Sequence, residues 1–107
     1  MKLNELSGTV VDAAVKVHSR LGPGLLESVY VAALVVELTA RGLKIAREVE
    51  IPVVYEGVDL GLGFRADLIV EGKLIVEVKA VEQHAKVHVR QLHTYLKLSG
   101  LKLGLHS

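Results

Sequence analysis

Two periodicities divide the chain. From Leu3 to Leu21 apolar residues recur at Leu6, Val10, Ala13, Val17 and Leu21, the spacing of one helix face, and Gly22-Pro23-Gly24 stops the run. A second helix is expected from Leu25 to about Arg41, closed by Gly42 as a left-handed C-terminal residue. It is apolar nearly all round, with Val31, Ala32, Ala33, Leu34, Val35 and Val36 in succession, so it needs cover on several sides. A chain of 107 residues supplies little of that cover, which predicts a homodimer contact through this helix or the first.

Beyond Leu43 the period drops to two. Ile45, Arg47, Val49 and Ile51 fall on one face of a strand and Ala46, Glu48 and Glu50 on the other, and Pro52 either ends this strand or puts it at an edge. Glu56-Gly57 turns into Val58-Asp59-Leu60, and Gly61 and Gly63 loosen the chain before a hairpin spanning Phe64 to Ala80. A polar connection follows, then a helix from roughly Ala85 to Leu98 capped by Gly100, and a short strand from Leu101 to Leu105. The order is α-α-β-β-β-α-β in a single domain over 1–107, without internal repeats. The last strand returns by a crossover and should run parallel to a neighbour, giving an α/β (α+β) mixed sheet flanked by helices.

The hairpin carries charges where a purely structural strand would be apolar. Asp67 interrupts its first arm, Glu77 and Lys79 its second, and alternation puts Glu77 and Lys79 on one face. A two-residue loop would set Asp67 opposite Val76. A three-residue loop through Glu71, Gly72 and Lys73 pairs Val70 with Leu74 and brings Asp67 beside Glu77. The second register also collects Ala66, Leu68, Val70, Leu74, Val76 and Val78 on an apolar face. Two adjacent carboxylates repel unless a cation lies between them, and such oxygen ligands suit Mg²⁺ or Mn²⁺. Cross-strand salt bridges on a wet face are the alternative.

Thirteen basic against twelve acidic residues neither demand nor exclude a polyanionic partner. The absence of cysteine excludes disulfides, thiolate zinc sites and a cysteine nucleophile. The longest apolar run, Val29 to Val36, is too short to span a bilayer and no secretory pattern opens the chain, so an intracellular, cytoplasmic location is expected, with no membrane partner.

Asp67 followed by Glu77-Val78-Lys79 resembles the core motif of the PD-(D/E)XK nuclease superfamily, with Ala66 where the family name has proline. Gly24, Glu27 and Tyr30 further resemble the GxxExxY family of that superfamily, over essentially the whole stretch from the first helix to Leu105. Gln91 and Tyr95 match the QxxxY pattern of its recombination-type exonucleases. The resemblance implies a restriction-endonuclease-like core that hydrolyses phosphodiesters with Mg²⁺ or Mn²⁺, acting on nucleic acid, DNA before RNA. It implies metal ligation by Asp67, Glu77, the Val78 carbonyl and Glu27, with Lys79 orienting water or stabilising the transition state, Gln91 holding that lysine or bound DNA, and Tyr95 supporting phosphate contacts. Because this family commonly continues past Leu105, the resemblance also implies a shortened last strand. Without it, Glu27 reads equally as a favourable charge at a helix N-terminus.

Laid out at 3.6 residues per turn, the expected last helix has an apolar stripe of Ala85, Val89, Leu92 and Leu96 and a basic one of Lys86, Arg90, His93 and Lys97. His84, His88, Gln91 and Tyr95 lie between. The basic stripe either tracks a phosphate backbone or is simply solvated. His84 and His88 have zinc-like spacing but no evident third ligand, leaving surface or phosphate-contact roles. His18 either caps the first helix or points into the cleft. Arg65 shares a strand face with Asp67, where it could pair with a carboxylate or contact a phosphate. A nuclease is the first reading. A catalytically silent nucleic-acid-binding module or a dimeric interaction protein with the same fold would keep these residues without turnover.

Overall fold

The computed structural model describes residues 1–81 and 84–91. Two helices, α1 (Leu3–Leu21) and α2 (Glu27–Ala40), precede four strands, β1 (Ile45–Tyr55), β2 (Val58–Val70), β3 (Leu74–Val81) and β4 (His84–Gln91). The strands form one sheet in the order β1-β2-β3-β4, every neighbouring pair antiparallel. This is the α+β fold expected, in the expected helix-helix-strand order. No described helix is long and apolar enough to cross a membrane.

The helical spacing read in α1 is the stripe that it buries: Leu6, Val10, Ala13 and Val17 all lie in the core. In α2 the buried stripe is Tyr30, Leu34 and Leu38, whereas Val36 is 65 % exposed. Its all-round apolar character is thus covered on one side only by the described residues. After Arg41, Gly42 takes a φ of +81°, and the N–H of Leu43 donates to the carbonyl of Leu38, closing the helix as expected of a left-handed cap. Glu37 joins the two helices through Lys16 (3.2 Å) and also pairs with Arg41 (2.8 Å) at the end of its own helix. The Arg41 hydrogen bond, then that of Lys16, holds the Glu37 carboxyl below the usual carboxylate value. This pairing therefore contributes above the unfolded-state pKa and is lost as pH falls through the lowered folded one.

Both helices lie on the sheet face formed by Leu68, Val70, Leu74, Val76 and Val78. Ile51, Ala66, Ile69 and Ile75 make a second cluster with Val49 and Phe64. Pro52 sits in β1, an edge strand of the described sheet, opposite Gly63, and the β1–β2 register shifts just beyond it. Gly63 is obligatory beside it, because a Cβ there would stand 2.7 Å from the Ile51 carbonyl oxygen.

The expected helix from Ala85 to Leu98 is corrected over its first half. His84–Gln91 is a strand, paired with β3 from Val81–His84 to Leu74–Gln91. Ala85, Val87 and Val89 alternate with His84, Lys86, His88 and Arg90, so this stretch satisfies a strand pattern as well as a helical one. Pairing with the otherwise open edge of β3 satisfies backbone groups on both strands, which local periodicity cannot report. The stripes that relied on helical spacing do not hold for these residues, and the Gln91–Tyr95 spacing runs on into residues outside those described. His93, Tyr95, Lys97, the rest of that helix and the strand Leu101 to Leu105, hence the parallel pairing of the mixed sheet, lie outside the described residues.

Candidate metal and nucleic-acid site

The turn decides the site. Glu71 and Gly72 both adopt positive φ (54° and 64°), and the Lys73 N–H donates to the Val70 carbonyl. Glu71 is held there by Lys44, the residue before β1: its N–H donates to the Lys44 carbonyl at 2.8 Å and its Oε2 accepts from the Lys44 N–H at 2.5 Å. The three-residue loop results, with Val70 opposite Leu74 and Leu68 opposite Val76. One further step of this register sets Asp67 beside Glu77.

The β2–β3 pairing stops at Leu68–Val76, while β3 continues alongside β4. At that fork the half-buried Asp67 takes over a backbone role, its Oδ2 accepting the Val78 N–H at 2.8 Å. Glu77 is buried, 8 % exposed, and Lys79 is exposed two residues on. Glu77 pairs across β4 with His88, and Lys79 with Lys86. Asp67 and Glu77 therefore stand at neighbouring strand positions where β2 and β3 part, with Lys79, Lys86 and His88 at the β3–β4 positions alongside. Arg90 and Gln91 follow in β4, at the register positions opposite Ile75 and Leu74.

The hydrogen bond separates two roles of Asp67. Asp67→Ala should lower stability by about 1–3 kcal/mol by orphaning the Val78 N–H, whereas Asp67→Asn retains an acceptor and should cost less. Urea denaturation of the two variants checks this, and equal losses would exclude the bond as the cause.

Glu27 is the first residue of α2 and exposed. Among the described residues no three His, Asp or Glu side chains gather as a metal-binding group, so Glu27 is not drawn in beside Asp67 and Glu77. The rest of the Gly24-Glu27-Tyr30 spacing has a local explanation. The Tyr30 hydroxyl donates to the Gly22 carbonyl (2.6 Å) and accepts from the Leu25 N–H (3.2 Å), bracing a loop in which Gly24 has a φ of +91°. Tyr30→Phe should accordingly destabilise the protein by about 1–2 kcal/mol, read as a lower urea midpoint at unchanged slope.

His18 points inward. Its carbonyl caps Gly22, and its Nε2 is buried without a hydrogen-bond partner beside a cavity of about 20 Å³ lined by Ala14, Val17, Tyr30, Leu34, Val78 and Val87. Arg65 lies between Glu48 (3.6 Å) and Glu50 (3.7 Å) of β1, the ion-pair reading. These two glutamates were legible only as the polar side of an alternating strand. Their partner depended on the β1–β2 register.

Compared with known families, residues 4–106 match the model of the PD-(D/E)XK nuclease superfamily. The chain belongs to this superfamily. No curated protein and no solved structure gives a significant match. PD-(D/E)XK nucleases generally use divalent metals and act on nucleic acid. In this PD-(D/E)XK chain Asp67 stands on β2 and Glu77 and Lys79 on the adjacent β3, at the β2–β3 fork.

Proposed function

We propose that the chain is a divalent-metal-dependent phosphodiester hydrolase of the GxxExxY branch, acting on nucleic acid, DNA before RNA. The observation that supports this reading is the placement of Asp67 on β2 and of Glu77 and Lys79 on the neighbouring β3, at the fork. Two neighbouring carboxylates, one buried, fit Mg²⁺ or Mn²⁺, hard cations commonly bound through one or two carboxylates with water and substrate phosphate in the remaining positions. Asp67, Glu77 and the Val78 carbonyl would hold the cation. When bound, such a cation supplies charge neutralisation at phosphate and activation of water.

Lys79 orients the attacking water or stabilises charge on the phosphate, as a compact ammonium can. Lys86, His88 and Arg90 contact the phosphate backbone, Gln91 supports Lys79 or substrate, and Tyr95 supports a phosphate, whereas Arg65 is engaged by Glu48 and Glu50. A homodimer would cover apolar residues left exposed on the helices, among them Val11 and Val15 of α1 and Val36 of α2.

Labelled single-stranded, duplex and branched DNA and RNA, incubated with Mg²⁺ or Mn²⁺, test the reading. Cleavage of at least one substrate should be abolished by chelator and restored by added metal. A folded protein that cuts nothing with either metal would exclude it.

A further inference from the structure

The two sides of the fork carry opposite charge. On the β3–β4 side, Lys79 pairs with Lys86 and Glu77 with His88; Lys79, Lys86 and His88 are exposed. On the β1–β2 side, Arg65 is opposed by Glu50 in the strand register and flanked by Glu48, whose side chains are 72 % and 68 % exposed. Arg47 gives no relief there, since it stands opposite Leu68, on the helix-facing side by alternation. Farther along the same two strands, an open groove is lined by Glu50 and Asp59. Glu48 also holds a left-handed φ of +50° in an edge strand, a conformation uncommon for a residue with a side chain.

Resting on the nuclease reading, we infer that the site takes a flexible single strand, which lies over β3 and β4 and leaves the protein at the fork, rather than continuous duplex. Phosphates are attracted to Lys79, Lys86 and His88 and repelled by Glu48 and Glu50, which also neutralise Arg65. A single strand can bend away before reaching those carboxylates. Duplex is stiff over about 150 base pairs and must carry its phosphates on across β1 and β2. Glu48 and Glu50 therefore set substrate class without touching the reacting phosphate.

The test is fluorescence anisotropy of the full chain with a labelled oligodeoxythymidine and a labelled hairpin duplex, in Ca²⁺ to prevent turnover and across a salt series. The native protein should bind the single strand about tenfold tighter at equal salt, a selectivity of the size electrostatic complementarity supplies. E48Q/E50Q should narrow that gap at least about threefold by strengthening duplex binding. K86Q, on the opposite side, should weaken single-strand binding and reduce its salt slope by about 0.7. Equal native affinity for the two probes, or an unchanged ratio in E48Q/E50Q, would overturn the inference while leaving the nuclease reading intact. Binding of neither probe at any salt would overturn both.

Discussion

Lys79→Ala should leave the protein folded and reduce metal-dependent cleavage by about 10²–10³-fold, the loss typical of removing one preorganised group that stabilises developing charge. The two halves of this expectation have separate causes. Lys79 is exposed and, among the described residues, engages in no ion pair or side-chain hydrogen bond, so its removal should change stability by no more than about 0.5 kcal/mol. Its position two residues after Glu77 nevertheless puts it on the strand face that carries a carboxylate proposed to hold the cation. Turnover and urea denaturation measured on the same preparation distinguish the readings. A variant that cuts as well as the parent would remove Lys79 from the mechanism. Nucleic-acid binding by both proteins, with cleavage by neither, would instead identify a binding module.

Leu68→Ala is expected to have the largest effect on stability. Leu68 is fully buried, opposite Arg47 on β1 and Val76 on β3, in the cluster onto which both helices pack. Truncation removes apolar contacts and leaves a cavity that neighbours on two strands and two helices cannot readily fill. The cost should be about 2–5 kcal/mol, a substantial share of the roughly 5–15 kcal/mol by which a domain is stable. With a urea slope of about 1–3 kcal/mol/M, the midpoint should fall by about 1–2 M at unchanged slope. A loss below about 1 kcal/mol would contradict full burial of Leu68. Because Leu68 follows Asp67 directly, cleavage by the folded fraction also reports whether the site tolerates a softened β2.

Much of this architecture is legible in the sequence. The spacing of Leu6, Val10, Ala13 and Val17 named both a helix and its buried face, since 3.6-residue periodicity leaves little choice of side. The hairpin was equally readable, and the register that also united its apolar positions is the one formed. The stretch His84 to Gln91 was misread because valines and alanine at alternate positions also put Ala85 and Val89 four apart. Only the unfilled edge of β3 distinguishes the two patterns. Tyr30 stood out by its spacing, but the hydroxyl bonds to Gly22 and Leu25 arise only when α2 folds back against its own entry loop. The ion pairs of Arg65 with Glu48 and Glu50 were hidden for a related reason: alternation assigns faces within a strand and says nothing of which residue lies across from it.

The amino-acid order by itself determined α1 and α2 to within about two residues at each end, and the hairpin with its three-residue turn, because local periodicity and turn chemistry act over a few neighbours. Tertiary structure alone decided that β2 and β3 part beyond Leu68 and Val76, that Asp67 replaces a ladder acceptor for Val78, and that Glu48 and Glu50 stand on one side of the fork with Lys79 and Lys86 on the other. Those outcomes depend on which strands become neighbours, and pairing between segments distant in sequence is fixed by backbone hydrogen-bond satisfaction and burial across the whole chain.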